Sequence, residues 1–422
     1  LISLIEDQVR ALLVLGIPAS SLASASAGGK KGGGGGSSAV GAVNTAIYRH
    51  MHEAVRRARG GGTGAAASVL KLLYVTPENI TVNTGLQSVL RDLAECGLLA
   101  RFVIDEAHCV SQWGHDFRPA YVALKMLKRS FPATPIVALT ATASPSVRAD
   151  VTKVLALKAP FVSQSSFNRP NLDYSVVLKA PKKEKAYEEL LKHLAPFGGA
   201  TGIVYCLSRA ETEEVASFLR TKELSATHYH ANLSSGQRTA VQRAWQTGDI
   251  SIVVATIAYG MGIDKADVRF VVHFVLPKSI EGYYQETGRA GRDGKRSTCI
   301  MMHSKTDGGR LKRLLKGKKG RGRPSKKQID RRMGALDKVV NFCNDSTTCR
   351  RRALLDFFGE AFRGQCGAMC DNCRRGAGGG LSSSSSAASG ARGGTAGKRA
   401  APLRTAFAKA AKRSRSRVTR GS

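Results

Sequence analysis

Short apolar runs recur along the chain, each flanked by polar or glycine-rich stretches. Five of them, "KLLYV" (71–75), "FVI" (102–104), "PIVALT" (135–140), "GIVYC" (202–206) and "SIVVAT" (251–256), lack the alternation of a half-exposed strand. Continuous apolar runs of this length read as strands buried on both faces of a parallel sheet. A sixth run, "VRFVVHFV" (268–275), follows them. Helical patterns lie between the runs, "EEVASFLRTKEL" (213–224) among them. Strand and helix in alternation predict an α/β architecture. The stretch "SFNRPNLDYSV" (166–176) separates two groups of runs, and its proline and asparagines discourage regular structure. It is the expected boundary between a first lobe at 1–166 and a second at 167–304.

Two segments break the pattern. Residues 21–68 are rich in Gly, Ala and Ser and read as a low-complexity insert, interrupted by a short helix at "AVNTAIYRHMHEAVRRA" (42–58). From residue 374 to the end the chain carries 12 Lys or Arg and no acid. Such a composition cannot bury enough apolar surface to offset the entropy of ordering, so 376–422 is expected to be a disordered basic tail.

Composition narrows the class. The 422 residues are 42% hydrophobic, enough for real cores, and the net charge is +34. Positive charge of this size points to nucleic acid or an anionic surface as partner. No run reaches the roughly 18 apolar residues of a membrane span, so no membrane is expected. Four of the nine cysteines, Cys349, Cys366, Cys370 and Cys373, cluster late. That density is too low for a disulfide scaffold and fits a metal site in a reducing compartment. Four thiolates suffice for a tetrahedral, closed, structural Zn²⁺. Cys343, six residues before Cys349, is a conceivable substitute ligand.

The run "FVI" delivers Asp105 and Glu106 at its exit. In open α/β sheets ligands bind at the carboxyl ends of strands. Asp105 there suits Mg²⁺, held through water, and Glu106 suits polarising a water for attack on a γ-phosphate. The bland reading is an acidic helix start, favoured by the dipole alone. A second constellation, "QETGRAGRDG" (285–294), places Arg289 and Arg292 three apart, so that they share one helical face, with glycines between them that allow close approach to a phosphate. One ATP served by the acids of the first lobe and the arginines of the second explains both groups. A phosphate cradle of the G-x-x-x-x-G-K-[ST] type should precede them. None occurs; "AGGKKGGGGGSS" (27–38) has neither a Ser or Thr after its lysines nor a strand before it.

Taken together, the motifs resemble those of the RecQ family of superfamily 2 DNA helicases. In order they are "LISLIEDQVRALLVLGIPASSL", "LYVTPE", "DEAH", the aromatic stretch "CVSQWGHDFRPAY", "ALTATA", "GIVYCLSRAETEEVA", "HYHANL", "VATIAYGMGIDKADVRFVVH", "YYQETGRAGRDG", and "CRRALLDFFGE" followed by "CDNC". The resemblance implies two RecA-like parallel-sheet lobes, the first incomplete, then a small helical zinc-binding subdomain at 333–375. It implies that His108 couples hydrolysis to DNA through the segment 140–143. Gln285, Arg289 and Arg292 would reach the phosphates, with Arg292 as the finger, while Gly262 and Asp264 would help close the cleft. Trp113, Phe117 and Arg118 would sense single-stranded DNA; stacking on aromatic rings contributes about 1–3 kcal/mol per base. Cofactors would be ATP, Mg²⁺ and Zn²⁺.

The family's phosphate loop precedes the first of these motifs, so the chain reads as truncated at its start. With 49 residues after Cys373, the family's winged helix is not expected within this sequence. Between lobe and zinc subdomain, 305–332 reads as a basic insert. Its Arg321-Gly322-Arg323-Pro324 resembles an AT-hook, whose arginines enter a narrow A·T minor groove; a linker binding phosphates without preference is the plain alternative. "KRSRSR" (412–417) suggests a nuclear address. The expectation is a 3′ to 5′ ATP-driven DNA helicase acting in repair, recombination and replication on single-stranded and forked or junction DNA. A non-catalytic DNA-binding remnant is the alternative, and an RNA helicase is disfavoured by the aromatic stretch and the zinc subdomain.

Overall fold

The computed structural model describes residues 2–22, 36–60, 70–111, 117–256, 265–304, 306–316 and 325–378. The chain divides into two compact units, Leu1–Ser165 and Ser166–Ser422.

In the first unit, β1 (Ala19–Leu22) pairs in parallel with β2 (Leu72–Val75), and β3 (Phe102–Ile104) pairs in parallel with β4 (Ile136–Ala138). The expected strands are present but not fully buried. Leu72 is 41% and Val103 54% exposed. In a two-stranded sheet both strands are edges, so helices cannot enclose them as they enclose a wide parallel sheet. The core of this unit is built largely from helices around Ile104, with Leu86, Val89, Leu127, Phe131 and Val147 all buried. Part of the expected low-complexity insert is folded. Ser21 and Leu22 end β1, and a helix runs Gly36–Ala58. Ile47, Met51 and Val55, spaced by four, form its buried stripe.

The second unit holds one six-stranded parallel sheet: β5 (Leu172–Leu178), β6 (Gly202–Tyr205), β7 (Ala226–Tyr229), β8 (Ile252–Ala255), β9 (Phe270–His273) and β10 (Ser297–His303), in the order β5-β10-β9-β6-β8-β7. Here the apolar runs are buried on both faces. Ile203, Val253 and Val271 enter one core layer, and their neighbours Val204, Val254 and Val272 enter the other. Gly202 opens β6 because a Cβ there would lie 2.1 Å from the Phe270 ring. The stretch 166–176 is a correction: Leu172 onward is not a connector but an edge strand, paired to β10 with Leu172 opposite Ser297. Its alternation was masked by the polar residues before it.

Helices Lys326–Asn344, Arg350–Phe357 and Asp371–Gly378 follow the sheet. Within the expected basic insert 305–332, residues 307–315 and 326–332 are helical. Helix Asp307–Leu315 pairs with Lys326–Asn344 through Lys312 and Asp337 at 2.6 Å. A capping box of Ser325 and Gln328 starts the longer helix.

Candidate functional site

In the first unit, β3 ends at Ile104 and the chain turns sharply. Asp105 is exposed, and its Oδ1 accepts from the Glu106 backbone N–H at 2.8 Å. Glu106 sits at φ 51°, ψ 39°, the left-handed region that non-glycine residues rarely occupy. Such strain persists only where surroundings over-determine it. Two bonds do so here: Ala107 N–H donates to Leu139 O at 2.8 Å, and Leu139 N–H donates to Ile104 O at 2.9 Å. A 3-10 turn (Ala107–Val110) follows and buries His108. His108 Nδ1 lies 3.1 Å from Thr140 Oγ1 and 3.2 Å from Glu106 Oε2. Thr140 Oγ1 also accepts from Thr142 N–H at 3.2 Å. One imidazole therefore joins the acidic turn to the segment after β4. Both carboxylates stand at the carboxyl end of β3, the side where open α/β sheets hold ligands.

Phe117 and Arg118 are half-buried, and Arg118 N–H donates to Cys109 O at 3.0 Å, which ties the end of the aromatic stretch to the acidic turn. Trp113 lies outside the described residues, as do Gly262, Asp264, Arg321 and Arg323.

In the second unit, helix Ile280–Thr287 carries Gln285 and ends at Gly288. Arg289 and Arg292 lie in the turn beyond it, so they do not share a helical face as the spacing suggested. Gly291, between them, adopts φ 57°. Arg289 is 9% exposed and Arg292 is exposed. The Arg289 Nε is buried without a hydrogen-bond partner among the described residues. Burial pushes the Tyr205 hydroxyl up to about 12, against the pull of the adjacent Arg289 guanidinium.

The turn is braced by residues that sequence reasoning treated as connector. Arg169 donates to Gly288 O at 3.2 Å, Ala290 O at 3.1 Å and Gly291 O at 3.0 Å. Asn171 Nδ2 donates to Gly291 O at 2.8 Å. Arg269 holds Asp293 at 2.7 Å. Glu286, also missed, pairs with buried His273 at 2.7 Å. The available signal was the polar density of "NRPN" beside apolar strands.

The four late cysteines converge. Their sulfurs lie within 4.8 Å of one another, with Cys366–Cys370 at 3.8 Å and Cys370–Cys349 at 3.9 Å. Burial opposes a Cys370 thiolate, yet backbone N–H groups of Cys373 and Arg350 bring its pKa below the ordinary thiol value. Four sulfurs at this spacing fit tetrahedral Zn²⁺ with no position open. Cys343 is not among them. Its sulfur packs 3.1 Å from Met301 Sδ, and burial pushes its thiol up to about 12. The cysteine loop bridges to β5, where Tyr174 N–H donates to Met369 O at 3.1 Å.

The same architecture is found elsewhere. Residues 44–151 match the family description "DEAD/DEAH box helicase", 182–294 match "Helicase conserved C-terminal domain" and 305–374 match "RecQ zinc-binding". The RecQ-like DNA helicase blm-1 of Caenorhabditis elegans is 47% identical over 318 residues, covering 74% of this chain and 32% of that protein. The ATP-dependent DNA helicase Q-like 4B of Arabidopsis thaliana is 43% identical over 385 residues, covering 88% of this chain and 31% of that protein. The putative ATP-dependent DNA helicase Q1 of C. elegans is 41% identical, covering 90% of this chain and 54% of that protein. The chain thus spans a third or less of the length of the first two and about half of the third. A solved DUF1998 helicase, MrfA bound to DNA and AMPPNP, shares the fold at TM-score 0.51 and 19% identity, over 72% of this chain and 41% of that one.

Fold and acidic turn together define a helicase core of the DEAD/DEAH-box class. The zinc-binding region and the close relatives narrow the class further: the chain belongs to the RecQ family of DNA helicases.

Proposed function

We propose that this chain is the motor region of an ATP-dependent DNA helicase that moves 3′ to 5′ on single-stranded DNA and opens forked or junction duplexes in the nucleus, in repair, recombination and replication. The observation that carries the reading is the strained Asp105–Glu106 turn, linked through His108 to Thr140 at 3.1 Å. Asp105 would hold Mg²⁺, which when bound offsets the charge of the nucleotide phosphates. Glu106 accepts a proton from the attacking water. Any change in the position of Glu106 reaches Thr140 through one imidazole, which is a short route from hydrolysis to the DNA-facing segments. Arg289 and Arg292 stabilise phosphate charge, and Gln285 positions it. Phe117 and Arg118, with Trp113, present a stacking surface to single-stranded bases. Gly262 and Asp264 are assigned to closure around the nucleotide, and Arg321 and Arg323 to the A·T minor groove. Cys349, Cys366, Cys370 and Cys373 would hold Zn²⁺, which when bound would tie helices Arg350–Phe357 and Asp371–Gly378 together.

The decisive experiment uses the longest natural form of the protein. Glu106→Gln should lower DNA-stimulated ATP hydrolysis by about 10²–10⁴-fold while nucleotide binding persists. Stimulation of the parent protein by single-stranded RNA as strong as that by DNA, or a Gln variant with unchanged turnover, would refute the reading.

A further inference from the structure

A second cluster of metal-ligand side chains lies in the sheet unit, remote in sequence from the four cysteines. β7 is an edge strand of the sheet; it carries His228 and Tyr229, and His230 follows it directly. Residues two apart on a strand share a face, so both imidazoles leave on the same side. Their rings stack with centroids 5.3 Å apart and planes 15° from parallel. Helix Arg209–Thr221 packs against this strand and contributes Glu213, whose Oε1 lies 2.8 Å from His230 Nε2. One ligand atom from each of the three residues lies within 4.8 Å of the other two. The Nδ1 atoms of both histidines are buried without a hydrogen-bond partner among the described residues. The His230 side chain is 4% exposed while Glu213 is 54% exposed, so the cluster has a sealed side and an open one.

From this arrangement we propose that Glu213, His228 and His230 form a Zn²⁺ site that clamps the helix to the edge strand and leaves one coordination position to solvent.

The donor set is two imidazoles and a carboxylate, which suits zinc and leaves a fourth, open position. A simple hydrogen-bonded His–Glu pair would account for His230 and Glu213 but not for the second ring. His228 adds no hydrogen bond through its buried Nδ1, and placing a second imidazole beside the first gains little unless something lies between them. Between Glu213 and His230 the adjustment needed is small. Tetrahedral ligands at zinc bond lengths stand about 3.4 Å apart, so the 2.8 Å contact between Glu213 and His230 has only to widen as the shared proton gives way to the ion. The movable partner is the exposed glutamate.

The test is metal stoichiometry on the whole chain, stripped and re-equilibrated at buffered micromolar free Zn²⁺. His228→Ala removes one ligand and leaves the His230–Glu213 hydrogen bond in place. The parent chain should retain two zinc ions and the variant one. Cobalt then serves as a probe of which site fills. The first equivalent should give the intense thiolate charge-transfer band in both proteins, which shows that the variant is folded. The second should add weaker d–d bands without further thiolate absorption, in the parent only. One ion in both proteins, two ions in both, or a second cobalt equivalent that still raises the thiolate band would each overturn the proposal.

Discussion

At the scale of single residues, the arginine turn shows how much depends on one backbone angle. Gly291 sits at φ +57°, and a Cβ there would lie 2.4 Å from Asn171 Nδ2 and 2.8 Å from Lys295 O. Gly291→Ala should destabilise the sheet unit by about 1–3 kcal/mol from the backbone strain alone, read as a lower denaturant midpoint. It should also displace Arg289 and Arg292 and so cost ATPase activity beyond the stability loss. The same turn carries a pH signature. The Arg269 hydrogen bond, the leading favourable influence, holds the Asp293 carboxyl below the usual carboxylate range. A depressed folded-state pKa gives stability that is fully present above the unfolded value of about 4 and is lost as pH falls through the lower folded value. Unfolding measured for the parent and for Asp293→Asn should therefore differ by a constant amount near neutrality and converge in acid. Glu106 is the counterpart in the first unit: its left-handed conformation is invisible in "DEAH" as letters and follows only from the bonds of Ala107 and Leu139 across the strand ends.

Among elements, the link between the cysteine module and the sheet decides the behaviour of the second unit. Arg351, buried on helix Arg350–Phe357, donates to Asn168 Oδ1 at 2.8 Å and to Leu172 O at 2.8 Å, and it also bonds Arg169 O. Arg350 forks onto Asp371 at 2.9 and 3.0 Å and bonds Phe342 O. One arginine thus knits the module internally, and its neighbour fastens the module to the start of β5. Arg351→Ala leaves buried carbonyls unsatisfied and should cost roughly 2–4 kcal/mol. Because Arg169 itself braces the arginine turn, the same variant should weaken nucleotide hydrolysis while zinc content stays unchanged. Paired zinc analysis and ATPase assay would check this; loss of zinc would place the fault inside the module instead. Strand runs and the cysteine spacing were readable as elements. The reach of Arg351 was not, because "CRR" gives no hint that its partners lie some 180 residues earlier.

For the whole molecule, net charge is the dominant physical fact. The chain carries +34, and residues 379–422 alone hold ten Lys or Arg and no acid. Each phosphate neutralised on duplex DNA adds about −0.9 to the slope of log Kobs against log salt. Removing 379–422 should make that slope shallower by several units, with little change in turnover at saturating DNA. Binding isotherms at three or four salt concentrations would show it; an unchanged slope would assign the contact surface to the folded units.

The chain's own letters determined the class of the fold, the acidic pair at the exit of β3, the arginine motif and the four-cysteine cluster. These depend on local periodicity and on short spacings that survive without knowledge of what packs where. Tertiary structure decided the rest. It made the second sheet doubly covered and left the first unit's strands half open, turned "NLDYSV" from connector to edge strand, and took the two arginines off a helix. It also brought Glu213 to the end of β7 beside His228 and His230. The reason is common to all of these: each depends on which surfaces and backbone groups meet across long sequence separations, and a chain read in order carries burial and hydrogen-bond partners only where they are neighbours.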